Sequence, residues 1–267
     1  MKKILLLALG IGFVVIVGAL IFFSLGREEV VPTDQPVTVV QSSVGSTELV
    51  VWEPINGAWK PTSTPPACPE PLQFQMPVDV DVVTSVLYPG QFRPDYKPHG
   101  GFRFDHSESG EIPVYAPFEG YVLKGGRYFA SGEIQYVFFI MHPCGIMYRL
   151  GHLKELSPKL LALAETLPEP KELDSRDYIV EHIPIKQGEL LATEVGVTGN
   201  YFFDWGVYDL RKKNKASEDP AWLAEHSNDQ APYAICWLDF LSPEASARVK
   251  ALPGADGTSG TESDYCD

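Results

Sequence analysis

The stretch "KPHGGFRFDHSESGEIPVYAPFEG", residues 97–120, sets four glycines and three prolines among alternating aromatic and polar residues. Breaks at that density leave room for short strands joined by turns and little room for long helices. The same stretch gathers side chains that hold metals or move protons, namely His99, Asp105 and His106. Two outcomes are open at this point: a working metal site, or only the outline of one.

The pattern continues on both sides. "IPVYAPFEGYVLKGG" (112–126) alternates apolar and polar residues around turns, and "IQYVFFIMHPCGIMYRLGHL" (134–153) predicts a hairpin of two buried strands meeting at "HPCG". "SPKLLALAETLP" (157–168) carries the one strong helical period in the middle of the chain. "IPIKQGELLATEVGVTGNYFFDWGVYDL" (183–210) returns to short strands between glycine turns, and "PAWLAEHS" (220–227) and "SPEASARVKALP" (242–253) predict small peripheral helices. Glycine and proline, 23 residues each, make up about a sixth of the 267 residues against a usual ~12%. The expected fold is mainly β, a compact antiparallel, sandwich-like core with a groove and a few short helices.

Before this core, "MKK" is followed by 22 uncharged residues, Ile4–Leu25. As a helix they reach about 33 Å, enough for the hydrocarbon core of a bilayer. A cleaved signal peptide is the competing reading, but its apolar stretch is usually only ~7–15 residues. Lysines before the run and "REE" after it place the N-terminus in the cytoplasm and the rest outside. The expected organisation is an anchor at 1–26, a Pro/Ser/Thr-rich stalk at 27–67, a β domain at 68–245 and a polar tail at 246–267. Within the stalk, "ELVVWEPINGAWKP" (48–61) has the "NG" turn signal of a short hairpin. In an exported domain, Cys68, Cys144, Cys236 and Cys266 point to disulfides; three pairings are possible, and the absence of C-x-x-C argues against a cysteine zinc or redox centre. A net charge of −14 repels phosphate backbones, so nucleic acid is not an expected partner.

Five segments taken in order, "HGGFR" (99–103), "PVYAPFEGYV" (113–122), "FFIMHPCGIMYRLGHL" (138–153), "IKQGELLATEVGVTGN" (185–200) and "FDWGVYD" (203–209), resemble the lysostaphin/LytM family of zinc peptidoglycan endopeptidases. The resemblance covers about half the chain. It implies an antiparallel β core with a groove that acts on wall peptides. It also implies zinc bound by the first His, the Asp four residues later and the second His of a His-x-His pair, with a further catalytic His. His99 matches the first ligand and His152 the catalytic position. Arg103 stands where the Asp belongs, and Asp204 and Gly206 stand where the pair belongs. Catalytic zinc needs three protein ligands and an open position to lower the pKa of water from ~15.7 toward ~7. A guanidinium cannot shed its charge, and glycine has no side-chain donor. No cofactor is therefore expected.

The groove or ligand-binding candidates are His99, Arg103, Asp105, His152 and Asp204. A salt bridge between Arg103 and one of the carboxylates is the plain expectation, and a rewired His99/Asp105/Asp204 metal site is the sharper one. His142 fits a turn histidine, and His182 and His226 fit surface positions. Of the stripe Phe202, Phe203, Trp205 and Tyr208, only alternate residues can line a groove. Ser107 and Ser109 lack a base partner. The implied function is a membrane-anchored, extracytoplasmic module that binds a peptide or protein partner of the cell envelope. The alternative is a peptidase of wall peptides with a shifted zinc site.

Overall fold

Runs of β-branched and aromatic residues broken by glycine form the strands expected of them. The computed structural model describes residues 49–93, 95–226, 228–255 and 260–266. Eight strands form the main sheet: β1 (Ser85–Leu87), β2 (Gly100–Arg103), β3 (Gly120–Ala130), β4 (Glu133–His142), β5 (Ile146–Leu153), β6 (Tyr178–Ile179), β7 (Pro184–Ile185) and β8 (Phe202–Asp209). Their order is β6-β3-β4-β5-β8-β2-β1, with β7 also on β3, and all these pairs are antiparallel. The β4–β5 hairpin turns at "HPCG", where Gly145 takes φ 101° and a Cβ would stand 2.7 Å from the Trp52 ring. Glycine is required there on both counts.

Alternation along β5 and β8 divides the sheet into two faces. Tyr148, Leu150, Phe203, Trp205 and Val207 enter the larger core with Phe74, Phe102 and Trp237, and the Trp205 and Trp237 rings stack at 4.4 Å. Met147 and Tyr208 face the other way. One end of that second face is covered by Val50, Trp52, Tyr233 and Ala234. The other end is left as an open groove.

Among the described residues three short α-helices surround the sheets: α1 (Pro158–Ala164), α2 (Pro220–Glu225) and α3 (Pro243–Lys250). Each starts with proline in its first turn, where the missing N–H is no loss. The Asp219 and Ser242 side chains cap α2 and α3 by accepting from Ala221 N and Ala245 N.

The "NG" hairpin is present as Trp52–Ile55 paired with Ala58–Pro61, its turn at Asn56 and Gly57 with φ 53° and 77°. It does not stand free on a stalk. Trp52 is buried and donates to Pro143 O, and Tyr121 donates to Val50 O. The folded body thus reaches further than residues 68–245 at both ends, for Val249 is buried and Cys266 is bridged to Cys236. The second bridge joins Cys68 to Cys144. The expected anchor at 1–26 and the expected stalk up to residue 48 lie outside the described residues. Among the described residues no helix is long and apolar enough to cross a membrane.

Candidate functional site

Asp204 on β8 is the centre of the groove. Its register neighbours on either side are Gly101 of β2 and Gly151 of β5, so no side chain crowds it from the adjacent strands. Two residues on, Gly206 lies opposite Arg149. A Cβ at Gly206 would stand 2.8 Å from His99 Cβ and 2.6 Å from the Tyr208 hydroxyl. These glycines let His99 and Arg149 converge on one carboxylate from opposite sides. His99 Nε2 is 3.1 Å from Asp204 Oδ2, Arg149 Nη1 donates to the same oxygen at 3.0 Å, and His152 Nε2 lies 3.4 Å from it.

The Arg149 guanidinium lies over Gly151. The three atoms nearest to a Cβ built there are its Nη1, Nη2 and Cζ, at 2.8, 3.0 and 3.1 Å. His152 is aimed by the backbone. It sits at φ 61°, where the β4–β5 register shifts between Leu150 and Leu153, and its carbonyl accepts from Gly196 N. Gln135 donates its amide nitrogen to Gly196 O, which turns Oε1 toward His152. His152 Nδ1 is then the donor to Gln135, and Nε2 points at Asp204. The Tyr128 hydroxyl lies 3.3 Å from the same Nδ1, and Phe202 covers the ring at 4.0 Å between centroids.

Burial and charge act in opposite directions here. Burial, joined by the Arg149 charge, pushes His99 down to about 4 against the raising effect of Asp204, so its imidazole is neutral at pH 7. Burial alone would raise Asp204, but the facing imidazoles of His99 and His152 hold it well below the usual carboxylate range. Burial raises the Tyr208 hydroxyl, which is fully buried and has no hydrogen-bond partner among the described residues.

The cleft above this cluster has a volume of about 580 Å³ and is bounded by His99, Arg103, Arg149, His152, Phe202 and Asp204 among others. Four of the five candidate residues therefore line it. Asp105 does not. It is exposed at the rim, where it takes two bonds from Arg103, at 3.0 and 2.7 Å, and one from Thr84. Arg103 also donates to Asn200 Oδ1 at 2.9 Å. The plain expectation of an Arg103 salt bridge holds, with Asp105 as its partner. The His99/Asp105/Asp204 grouping does not form, because Asp105 is drawn outward by Arg103 and Thr84.

Two cleft residues, Arg149 and Tyr128, and the buried Gln135 behind His152 escape a motif-based reading. Arg149 carried a signal, a lone cation in the otherwise apolar strand "IMYRLGHL" on the face shared with Met147 and Gly151. His142 behaves as a turn histidine and accepts from Cys144 N. His226 is not a surface residue: its ring stacks on Trp222 at 4.1 Å and meets Tyr96 edge-on at 3.9 Å. His182 is half-buried beside Tyr121. Ser107 donates to Ser109 O within an exposed turn.

The donors present do not fit the zinc set of the resembling family. Arg103 is tied to the rim, the space at Gly206 is taken by Tyr208 and His99, and a guanidinium already neutralises Asp204. Among the described residues no group of three or more His, Cys, Asp or Glu side chains is arranged to hold a metal ion. No protein-family model and no curated protein matches the chain. The chemistry of the cleft therefore carries the functional argument.

Proposed function

We propose that this chain is a membrane-anchored, extracytoplasmic binding module of the cell envelope, a zinc-free relative of the lysostaphin/LytM endopeptidases whose cleft receives a peptide or partner protein. The observation that carries this reading is the Arg149 guanidinium, 3.0 Å from Asp204 at the centre of the cleft. A fixed positive charge in contact with the anionic donor opposes a divalent cation at the same place. The cleft volume of about 580 Å³ suits a small ligand or a short segment of a partner.

A second reading is supported by the convergence of two imidazole nitrogens on one carboxylate oxygen, at 3.1 and 3.4 Å. Under it, His99, His152 and Asp204 hold zinc after Arg149 swings aside, and the protein cleaves wall peptides. Zinc analysis of the full-length protein, after mild chelation and reloading, separates the two. The binding module retains no stoichiometric zinc and leaves isolated wall peptides intact. Stoichiometric zinc that is lost in His99→Ala, accompanied by cleavage, would overturn it.

A further inference from the structure

We propose that the cleft recognises a monoanionic carboxylate carried next to an apolar group, with Arg149 as its receptor; this rests on the reading of the cleft as a metal-free binding site. The first support is a local reversal of charge. The chain has 35 acidic and 21 basic residues, yet the cleft is lined by four cations, Arg93, Lys97, Arg103 and Arg149, against two carboxylates, Asp177 and Asp204. The carboxylates that hold Lys97 and Arg103, Asp95 and Asp105, stand outside the lining. The positive excess of the lining favours an anion inside the cleft, while the acidic remainder of the surface repels anions elsewhere.

The second support is the state of Arg149. Its side chain is 13% exposed, and among the described residues only one of its five N–H donors is engaged, the one on Asp204. A nearly buried guanidinium with unused donors facing a cleft is a receptor for a small planar acceptor, and a carboxylate matches its fork. Asp204 sets the charge of that acceptor. It repels a second negative charge across a short gap of low effective dielectric, so a carboxylate is favoured over a phosphate dianion. The walls set the neighbouring group: Phe202 lines the cleft beside the polar floor and Leu173, 77% exposed, stands at its edge, with the buried Val137 and Phe139 behind them. These surfaces bury an aliphatic or aromatic substituent adjoining the carboxylate.

The test uses the full-length protein with N-acetyl-leucine, its amide N-acetyl-leucinamide and inorganic phosphate as probes, titrated by calorimetry with and without chelator. The acid is expected to bind at least tenfold more tightly than the amide, and phosphate is not expected to displace it. Arg149→Gln should remove the preference for the acid. Gly151→Ala, which keeps the arginine but displaces its guanidinium, should weaken acid binding at least threefold, so the test stands even if Arg149→Gln fails to fold. Equal binding of acid and amide, displacement by phosphate, or unchanged binding in Gly151→Ala would each overturn the proposal. Acid binding that disappears with chelator would defeat the metal-free reading as well. Failure of the acid preference in a zinc-free sample would defeat this inference alone.

Discussion

Gly151→Ala tests the geometry of the cleft most directly. All three atoms nearest to the new Cβ belong to the Arg149 guanidinium, at 2.8–3.1 Å, where ordinary contact begins near 3.4 Å. No positive φ is imposed at Gly151, so alanine itself is tolerated by the backbone. The flexible end of Arg149 must move by roughly 0.5–1 Å, which takes Nη1 from 3.0 Å out of hydrogen-bond range of Asp204. A charge-assisted bond in a buried setting contributes about 1.5–3 kcal/mol. Alanine in place of glycine within a strand returns about 0.5–1 kcal/mol through the unfolded chain. The net cost is about 1–2 kcal/mol, or a fall in Tm of about 2–8 °C for a body of this size.

A double-mutant cycle separates this effect from simple strain. In an Arg149→Ala/Asp204→Asn background the space over Gly151 is vacated, and adding Gly151→Ala should be neutral or slightly stabilising. Urea midpoints of the four proteins give the coupling, expected at about 1.5–3 kcal/mol. The same loss in both backgrounds would mean that the alanine strains the strand, and that the placement of the guanidinium over Gly151 is wrong.

Four further outcomes follow from the same contacts. Arg149→Gln should move the His99 titration up from about 4 toward its ordinary value, because a lowering charge is removed while Asp204 still favours the proton; imidazole NMR reads this, and an unmoved or lower value contradicts it. His99 is depressed in the fold relative to an unfolded value near 6.5, so the unfolded chain gains its proton first as pH falls. Stability should therefore be fully present above pH 6.5 and decline between 6.5 and about 4, by at most about 3 kcal/mol, and His99→Gln should flatten that part of the urea-midpoint curve. Cys266→Ser opens the bridge to Cys236 across 30 residues, with an expected cost of about 3–4 kcal/mol, and frees Tyr265 from Pro98 O; amide exchange should rise at Gly100 and Gly101, and unchanged exchange would refute the brace. Arg103→Asp/Gly206→His supplies two zinc-donor types yet should not bind zinc tightly, because Arg149 and Tyr208 remain in place; stoichiometric zinc in that variant would count against the geometry of the site.

Much of the architecture was legible because it depends on local signals. The apolar run 134–153 broken by "HPCG" gives β4 and β5, the Asp/Ser-Pro pairs start α2 and α3, and "NG" closes the first hairpin. The two-residue alternation through "FFDWGVYD" also held: Phe202 and Asp204 line the cleft while Phe203 and Trp205 enter the core. What escaped depends on contacts across strands. The salt bridge of Arg103 to a nearby carboxylate was expected, but its second partner Asn200, 97 residues away, was not. The disulfide pairing, the His226–Trp222 stack and the burial of Trp52 are likewise settled by tertiary packing.

The central cation illustrates the same limit and shows what the glycines are for. Read along the chain, Gly206 is a missing donor and Gly151 a spacer before His152. Read across the sheet, Gly101 and Gly151 flank Asp204, and Gly206 lies between His99 and Arg149. Each removes a side chain at the point where another must pass. Here an alanine at either position meets a functional group within 3 Å, the Arg149 guanidinium in one case and the Tyr208 hydroxyl in the other. The glycine pattern thus clears the space for a polar centre held by one buried carboxylate, one guanidinium and two imidazoles.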